Sequence, residues 1–310
     1  MTLQTDRRVP DSIAQSWVDR APAAIRPYLR LARMDRPVGY WLLCLPCWFG
    51  LLLARQGQGL GLSDVIWMGL YFLGSLAMRG AGCTYNDIVD RDLDAQVART
   101  ADRPLAAGTV SLKQAWAFLL GQVGLGFLIF LALPLFAKLV ALFSLALVAA
   151  YPFMKRITWW PQVWLGLTFN WGLLIAYSAV TGEITPSVLL LYAGAILWTL
   201  GYDTIYAHQD AEDDAMVGIK SSALALGDKT KPALWLIYAL SAALTAAGVI
   251  LEGTSLIFAL VYPLYVLHLL SQIVRFDIHD GGSCLKVFKD NRTTGLLLVF
   301  ALSLGALAPI

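Results

Sequence analysis

Nine long apolar runs divide this chain, and nearly every charge falls in the gaps between them. The runs cover approximately 39–54, 64–82, 113–133, 136–152, 163–181, 187–205, 232–251, 254–274 and 293–309. A helix needs roughly 20 apolar residues to cross the hydrocarbon core of a bilayer. Lipid offers no hydrogen bonds, so only a helix or a closed barrel satisfies its backbone there, and these runs lack the alternation of barrel strands. The pattern predicts an all-α membrane protein with nine transmembrane helices. Composition agrees: 58% of the residues are hydrophobic and 14% charged. Soluble domains average about 45–50% and about 25%.

Cations are biased to one side of these runs. Of 23 Lys and Arg, 21 fall on the face that carries the N-terminus. They are Arg7, Arg8, Arg20, Arg26, Arg30, Arg33 and Arg36, then Arg79, Arg91, Arg99, Arg103 and Lys113, then Lys155 and Arg156, then Lys220, Lys229 and Lys231, then Arg275, Lys286, Lys289 and Arg292. Arg55 and Lys138 lie opposite. Positive charge stays on the cytoplasmic side, which predicts a cytoplasmic N-terminus and an external C-terminus. The basic patches are thereby explained by the bilayer, and no nucleic acid partner is expected. Residues 1–30 read as a cytoplasmic N-terminal segment without a signal-peptide apolar core, and 31–310 as a single domain. Cys44 and Cys47 form a lone C-x-x-C inside an apolar run and read as packing residues.

The long connections, about 83–112 and 206–231, share the cytoplasmic face and each contains an acidic cluster. Asn86, Asp87, Asp90 and Asp94 follow the second run. Asn86, Asp90 and Asp94 are spaced i, i+4, i+8, one helical stripe if the helix continues. Asp203 lies at the end of the sixth run, and Asp210 and Asp214, again four apart, follow it. Like charges so placed repel, and a divalent cation offsets them economically. All-oxygen donors favour a hard cation, and Mg²⁺ binds through one or two carboxylates plus substrate phosphates. Two such helix ends facing across a cavity would trap a diphosphate. Arg99, Arg103, Lys155, Arg156 and Lys220 are the nearby phosphate-binding candidates.

With these residues the chain resembles the UbiA superfamily of intramembrane prenyltransferases. Asn86, Asp87, Asp90 and Asp94 match its N-D-x-x-D-x-x-x-D motif, and Asp210 and Asp214 match its D-x-x-x-D motif. Arg99-Thr100-Ala101-Asp102-Arg103-Pro104-Leu105 is similar to its R-T-x-x-R-P-L continuation. Asp35-Arg36-Pro37-Val38-Gly39, Tyr151 to Arg156, Tyr202 to Asp210 and Gly218 to Ala223 look like the branch acting on 4-hydroxybenzoate. Ser222 departs from it, since Thr is common there.

The resemblance implies nine helices around a central cavity open to lipid. It implies Mg²⁺ held by Asp90, Asp94, Asp210, Asp214 and Asn86, and transfer from polyprenyl diphosphate to 4-hydroxybenzoate in ubiquinone biosynthesis. Asp203 is then a contributing carboxylate or base, Asn86, Asp87 and Tyr206 line the substrates, and Arg36, Arg156 or Arg79 takes the acceptor carboxylate. His208 reads as a helix-surface residue and His268 as a packed or interfacial one. The membrane would be a bacterial inner membrane, or the mitochondrial inner membrane in a eukaryote. A sibling enzyme with another acceptor (homogentisate, naphthoate, a haem or chlorophyll precursor) and an ion-coupled transporter are the competing readings.

Overall fold

The computed structural model describes residues 16–96, 100–211 and 220–307, and every regular element among them is helical. The longer helices are α1 (Val38–Ala54), α2 (Leu62–Val89), α3 (Leu112–Ala132), α4 (Leu135–Ile157), α5 (Pro161–Phe169), α6 (Trp171–Thr181), α7 (Pro186–Ala207), α8 (Thr230–Glu252), α9 (Leu256–Arg275) and α10 (Gly281–Leu307). Over the described residues, each predicted apolar run lies mainly on helix. By length and apolarity five stretches among the described residues suit a bilayer crossing: Leu112–Ala132, Pro161–Thr181, Pro186–Ala207, Ser222–Glu252 and Leu256–Arg275. Val38–Ala54 and Leu135–Tyr151 are shorter apolar helices.

One run departs from its expectation. Residues 163–181 form two helices, α5 and α6, broken at Asn170. Its side chain is buried, and Nδ2 donates to the Gly166 carbonyl at 2.8 Å, to Thr199 Oγ1 at 2.8 Å and to the Ala195 carbonyl at 3.2 Å. A buried amide with that many acceptors fixes the backbone where the two helices meet. Hydropathy carries no trace of it, because Asn170 is one polar residue in an apolar run.

The chain forms two compact units, one from residues 1–41 and 72–132, the other from 42–71 and 133–310. The first has a small core of Leu31, Leu105, Val110 and Ala115, with Tyr28, Ile88 and Phe118 packed on it. The Tyr28 and Phe118 rings meet edge-on at 5.3 Å. That core ties the loop after Thr100 to the end of α2, which is where the first acidic motif sits. In the second unit α7 is buried along most of its length. Gly201 lies where any Cβ would enter the Tyr238 ring of α8. Ser241 Oγ donates to the Gly194 carbonyl at 2.7 Å. Trp198 Nε1 donates to Asn291 Oδ1 at 2.8 Å, and Gln272 Nε2 to the same oxygen at 3.1 Å. His268 is packed as predicted, with Nδ1 2.9 Å from Thr294 Oγ1.

Candidate functional site

The helix carrying the first motif does continue, with a bend. α2 ends at Val89, Asp90 occupies the bend, and a turn of helix resumes over Arg91–Asp94. The Asp90 N–H donates to the Asn86 carbonyl and the Asp94 N–H to the Asp90 carbonyl, both at 2.8 Å. The i, i+4, i+8 register therefore survives. The stripe is not uniform, however. Asn86 is exposed, Asp90 half-buried, and Asp94 buried.

Arginine pairing distinguishes the carboxylates. Asp87, 1% exposed, accepts from Arg33 Nη2 at 2.6 Å and from Arg103 Nη1 at 3.3 Å. The same Arg103 nitrogen reaches Asp94 Oδ2 at 2.8 Å. Thr100 Oγ1 donates to the Asp94 carbonyl at 2.9 Å. Burial pushes the Asp87 carboxyl above the usual range, against the pull of Arg33 and Arg103. Burial also works against the Arg33 charge, but the adjacent Asp87 carboxylate outweighs it and holds the guanidinium protonated. The second Asp87 oxygen and Arg103 Nε are buried with no hydrogen-bond partner among the described residues.

Asp90 differs from both neighbours. Its carboxylate makes no hydrogen bond or ion pair among the described residues, and it is half-buried. Of the motif's Asp87, Asp90 and Asp94, it is the acid that pairs with no cation among the described residues. No three His, Cys, Asp or Glu side chains converge among the described residues. Asp214 and Arg99 lie outside those residues, as do the side chains of Asp210, Lys155 and Arg156.

Elsewhere in the same unit, Arg36 Nε lies 3.7 Å from Asp35 Oδ2. Gly39 gives way to Arg79: a Cβ there would stand 2.7 Å from Arg79 Nε. Arg33 was visible in the sequence only as one more cytoplasmic charge. Its pairing with Asp87, 54 positions along the chain, has no signal in spacing.

The second motif ends α7, which passes into a 3-10 turn over His208–Asp210. Asp203 is half-buried one turn earlier. The Tyr206 ring lies 4.5 Å from Phe288 of α10, and Tyr202 lies 5.3 Å from Trp198 and 5.8 Å from Phe288. An aromatic ladder thus walks along α7 to the acidic turn. His208 is half-buried rather than on the helix surface. Its Nε2 lies 2.9 Å from Thr230 Oγ1, whose own proton goes to the Gly227 carbonyl at 2.7 Å, so the imidazole donates. Burial first, and then His279, lower its pKa, which favours the neutral ring.

Lys220 stands over Trp159 with Nζ 5.7 Å from the ring centroid. Ser222 accepts the role its position demands: its N–H donates to Gln162 Oε1 at 3.1 Å, and its hydroxyl lies 2.7 Å from Thr204 Oγ1. The hydroxyl is the group used here, and Thr would keep it.

Comparison with known proteins follows the same lines. Residues 43–304 match the UbiA prenyltransferase family. The chain is 45% identical over 298 residues to a Homo sapiens protein named 4-hydroxybenzoate polyprenyltransferase, mitochondrial, covering 95% of this chain and 79% of that one. Its fold is similar to the apo structure of a UbiA homolog from Aeropyrum pernix K1, with TM-score 0.70 and 28% identity over 86% of this chain and 98% of that one. A UbiA homolog from Archaeoglobus fulgidus bound to GPP and Mg²⁺ shares the fold at TM-score 0.64 and 19% identity, over 89% of this chain and 99% of that one.

Proposed function

The chain belongs to the UbiA prenyltransferase family, and on that premise we propose that it transfers a polyprenyl group from polyprenyl diphosphate to 4-hydroxybenzoate. The bond forms at the ring carbon ortho to the hydroxyl, giving 3-polyprenyl-4-hydroxybenzoate and diphosphate, a step of ubiquinone biosynthesis. The acceptor is the one named for the human relative, which matches 95% of this chain. The observation that carries the site is the division of labour in the first motif. Asp87 and Asp94 are held by arginine, and Asp90 pairs with no cation among the described residues.

That arrangement fits a hard divalent cation. A carboxylate with no cation among the described residues, flanked by a fixed carboxylate with an oxygen to spare, is an all-oxygen donor set of the kind Mg²⁺ takes. Asp90 and Asp94, with Asp210, Asp214 and Asn86, are the residues that would hold it. When bound, Mg²⁺ supplies positive charge against the charge that develops on the departing diphosphate. Arg99, Arg103, Lys155, Arg156 and Lys220 add fixed cations for the same phosphates.

The reaction breaks the allylic C–O bond, and both electrons leave with the diphosphate. The allylic carbon bonds to the ring, and the ring proton must go to a base. Asp203 or Asp210 takes that proton or polarises the phenol. The Tyr206 and Phe288 rings offer an apolar, electron-rich wall that keeps water from the cation. Arg36, Arg156 or Arg79 pairs with the acceptor carboxylate. The donor tail favours lipid or an apolar tunnel, since each buried CH₂ is worth about 0.8 kcal/mol.

The nine apolar runs support nine crossings by one domain over 31–310, and cation bias supports an odd number of them, with N-terminus and site on the cytoplasmic face of a bacterial inner membrane, or of the equivalent mitochondrial membrane. The acceptor is tested by offering purified protein one polyprenyl diphosphate with 4-hydroxybenzoate or homogentisate. Prenylated 4-hydroxybenzoate is the expected product. Incorporation into homogentisate alone would move the chain to a sibling activity.

A further inference from the structure

We infer that Arg33 is a positioning residue of the first acidic motif, acting through Asp87 to set Arg103, Asp94 and the bend at Asp90 for cation and diphosphate binding. The inference deepens the function proposed above and rests on it.

The backbone is the first indication. Arg33 has φ of +57°, the only residue other than glycine with positive φ among the described residues. It ends the short helix Arg26–Leu31, where the Met34 N–H reaches back to the Leu29 carbonyl at 2.9 Å. Glycine adopts that conformation without strain and is the usual residue there. The turn therefore does not call for arginine. The side chain does.

Its guanidinium is fixed at both ends of its fork. Nη1 donates to the Arg30 carbonyl at 3.1 Å and Nη2 to Asp87 Oδ1 at 2.6 Å, with the side chain 10% exposed. A group so engaged and so buried is not free to grip a phosphate. It acts on Asp87, which in turn holds Arg103, which reaches Asp94. The four charges alternate in sign, so moving one moves the next. The hydrophobic core pins the same members: Leu31 lies two residues before Arg33, Leu105 two after Arg103, and Ile88 beside Asp87. Arginine suits this post better than lysine, because its rigid planar fork is pre-organised to serve a carbonyl and a carboxylate at once.

The test uses full-length purified protein and inorganic diphosphate as the probe, titrated with Mg²⁺ and read by equilibrium binding, so that no acceptor is needed. Groups that orient metal ligands are worth about 10–100-fold in affinity. Arg33→Gln is expected to raise the Mg²⁺ concentration for half-maximal binding at least about tenfold, and the conservative Arg33→Lys about threefold, because charge without the fork restores only part of the clamp. A purely structural role would lower thermal stability and leave that midpoint at the wild-type value in the folded fraction, which overturns the inference. Should Arg33→Gln fail to fold, Arg33→Lys decides alone: a raised midpoint supports the inference and an unchanged one overturns it. Wild-type protein with no Mg²⁺-dependent diphosphate binding would instead sink the functional reading beneath it. Wild-type binding with unchanged variants sinks only the role of Arg33.

Discussion

Asp87 and Asp92 sit five residues apart in one acidic stretch, yet their surroundings make opposite demands. Asp87 is 1% exposed and shared by two guanidinium groups, while Asp92 pairs with Arg91 in solvent with its side chain 83% exposed. Removing one partner of a buried ion pair strands the other charge and costs about 3–5 kcal/mol. Exposed pairs contribute about 0–1 kcal/mol. Asp87→Asn should therefore melt several degrees below wild type in detergent, whereas Asp92→Asn should melt with it. Equal melting temperatures for the two variants would refute the clamp. Spacing made the motif a candidate cation site, and the i, i+4, i+8 register held. It did not say which acid is structural, because that depends on Arg33 and Arg103, brought in by folding from outside the stripe.

At the scale of helices, hydropathy located every apolar run that became helix, because a lipid-facing or buried helix must be apolar along its whole length. It missed the break at Asn170, where a single amide satisfies acceptors on α5 and α7. Asn170→Ala leaves the Thr199 hydroxyl and two buried carbonyls without that donor, at about 1–3 kcal/mol. A loss of that size in a denaturant titration is the expected outcome, and a wild-type midpoint would show that the amide does not hold the break. Packing of α7 on α8 offers a second measurement. A Cβ at Gly201 meets the Tyr238 ring, and overpacking of this kind costs about 1–3 kcal/mol. Gly201→Ala should therefore destabilise the protein, and an unchanged melting temperature would show that the two helices have room to part.

For the molecule as a whole, charge bias is the legible quantity, and it predicts sidedness. Asp228 and Glu183 are both exposed, and Cys44, Cys83 and Cys284 are buried. A membrane-impermeant thiol reagent should label Asp228→Cys from the cytoplasmic side and Glu183→Cys from the other. Labelling of both from one side would overturn the topology. The family was legible because its motif residues are contiguous in sequence. The choice of acceptor was legible only by resemblance, since a small aromatic acid leaves no pattern in spacing. The central claim is that the two aspartate motifs work on one Mg²⁺-dependent prenyl transfer. Its most direct test is turnover of polyprenyl diphosphate and 4-hydroxybenzoate by purified wild type, Asp90→Asn and Asp210→Asn at saturating Mg²⁺. Product is expected from the wild type and a loss of at least about 100-fold in each variant, the scale on which removing one charge-stabilising group acts. Near wild-type turnover in either variant would contradict it.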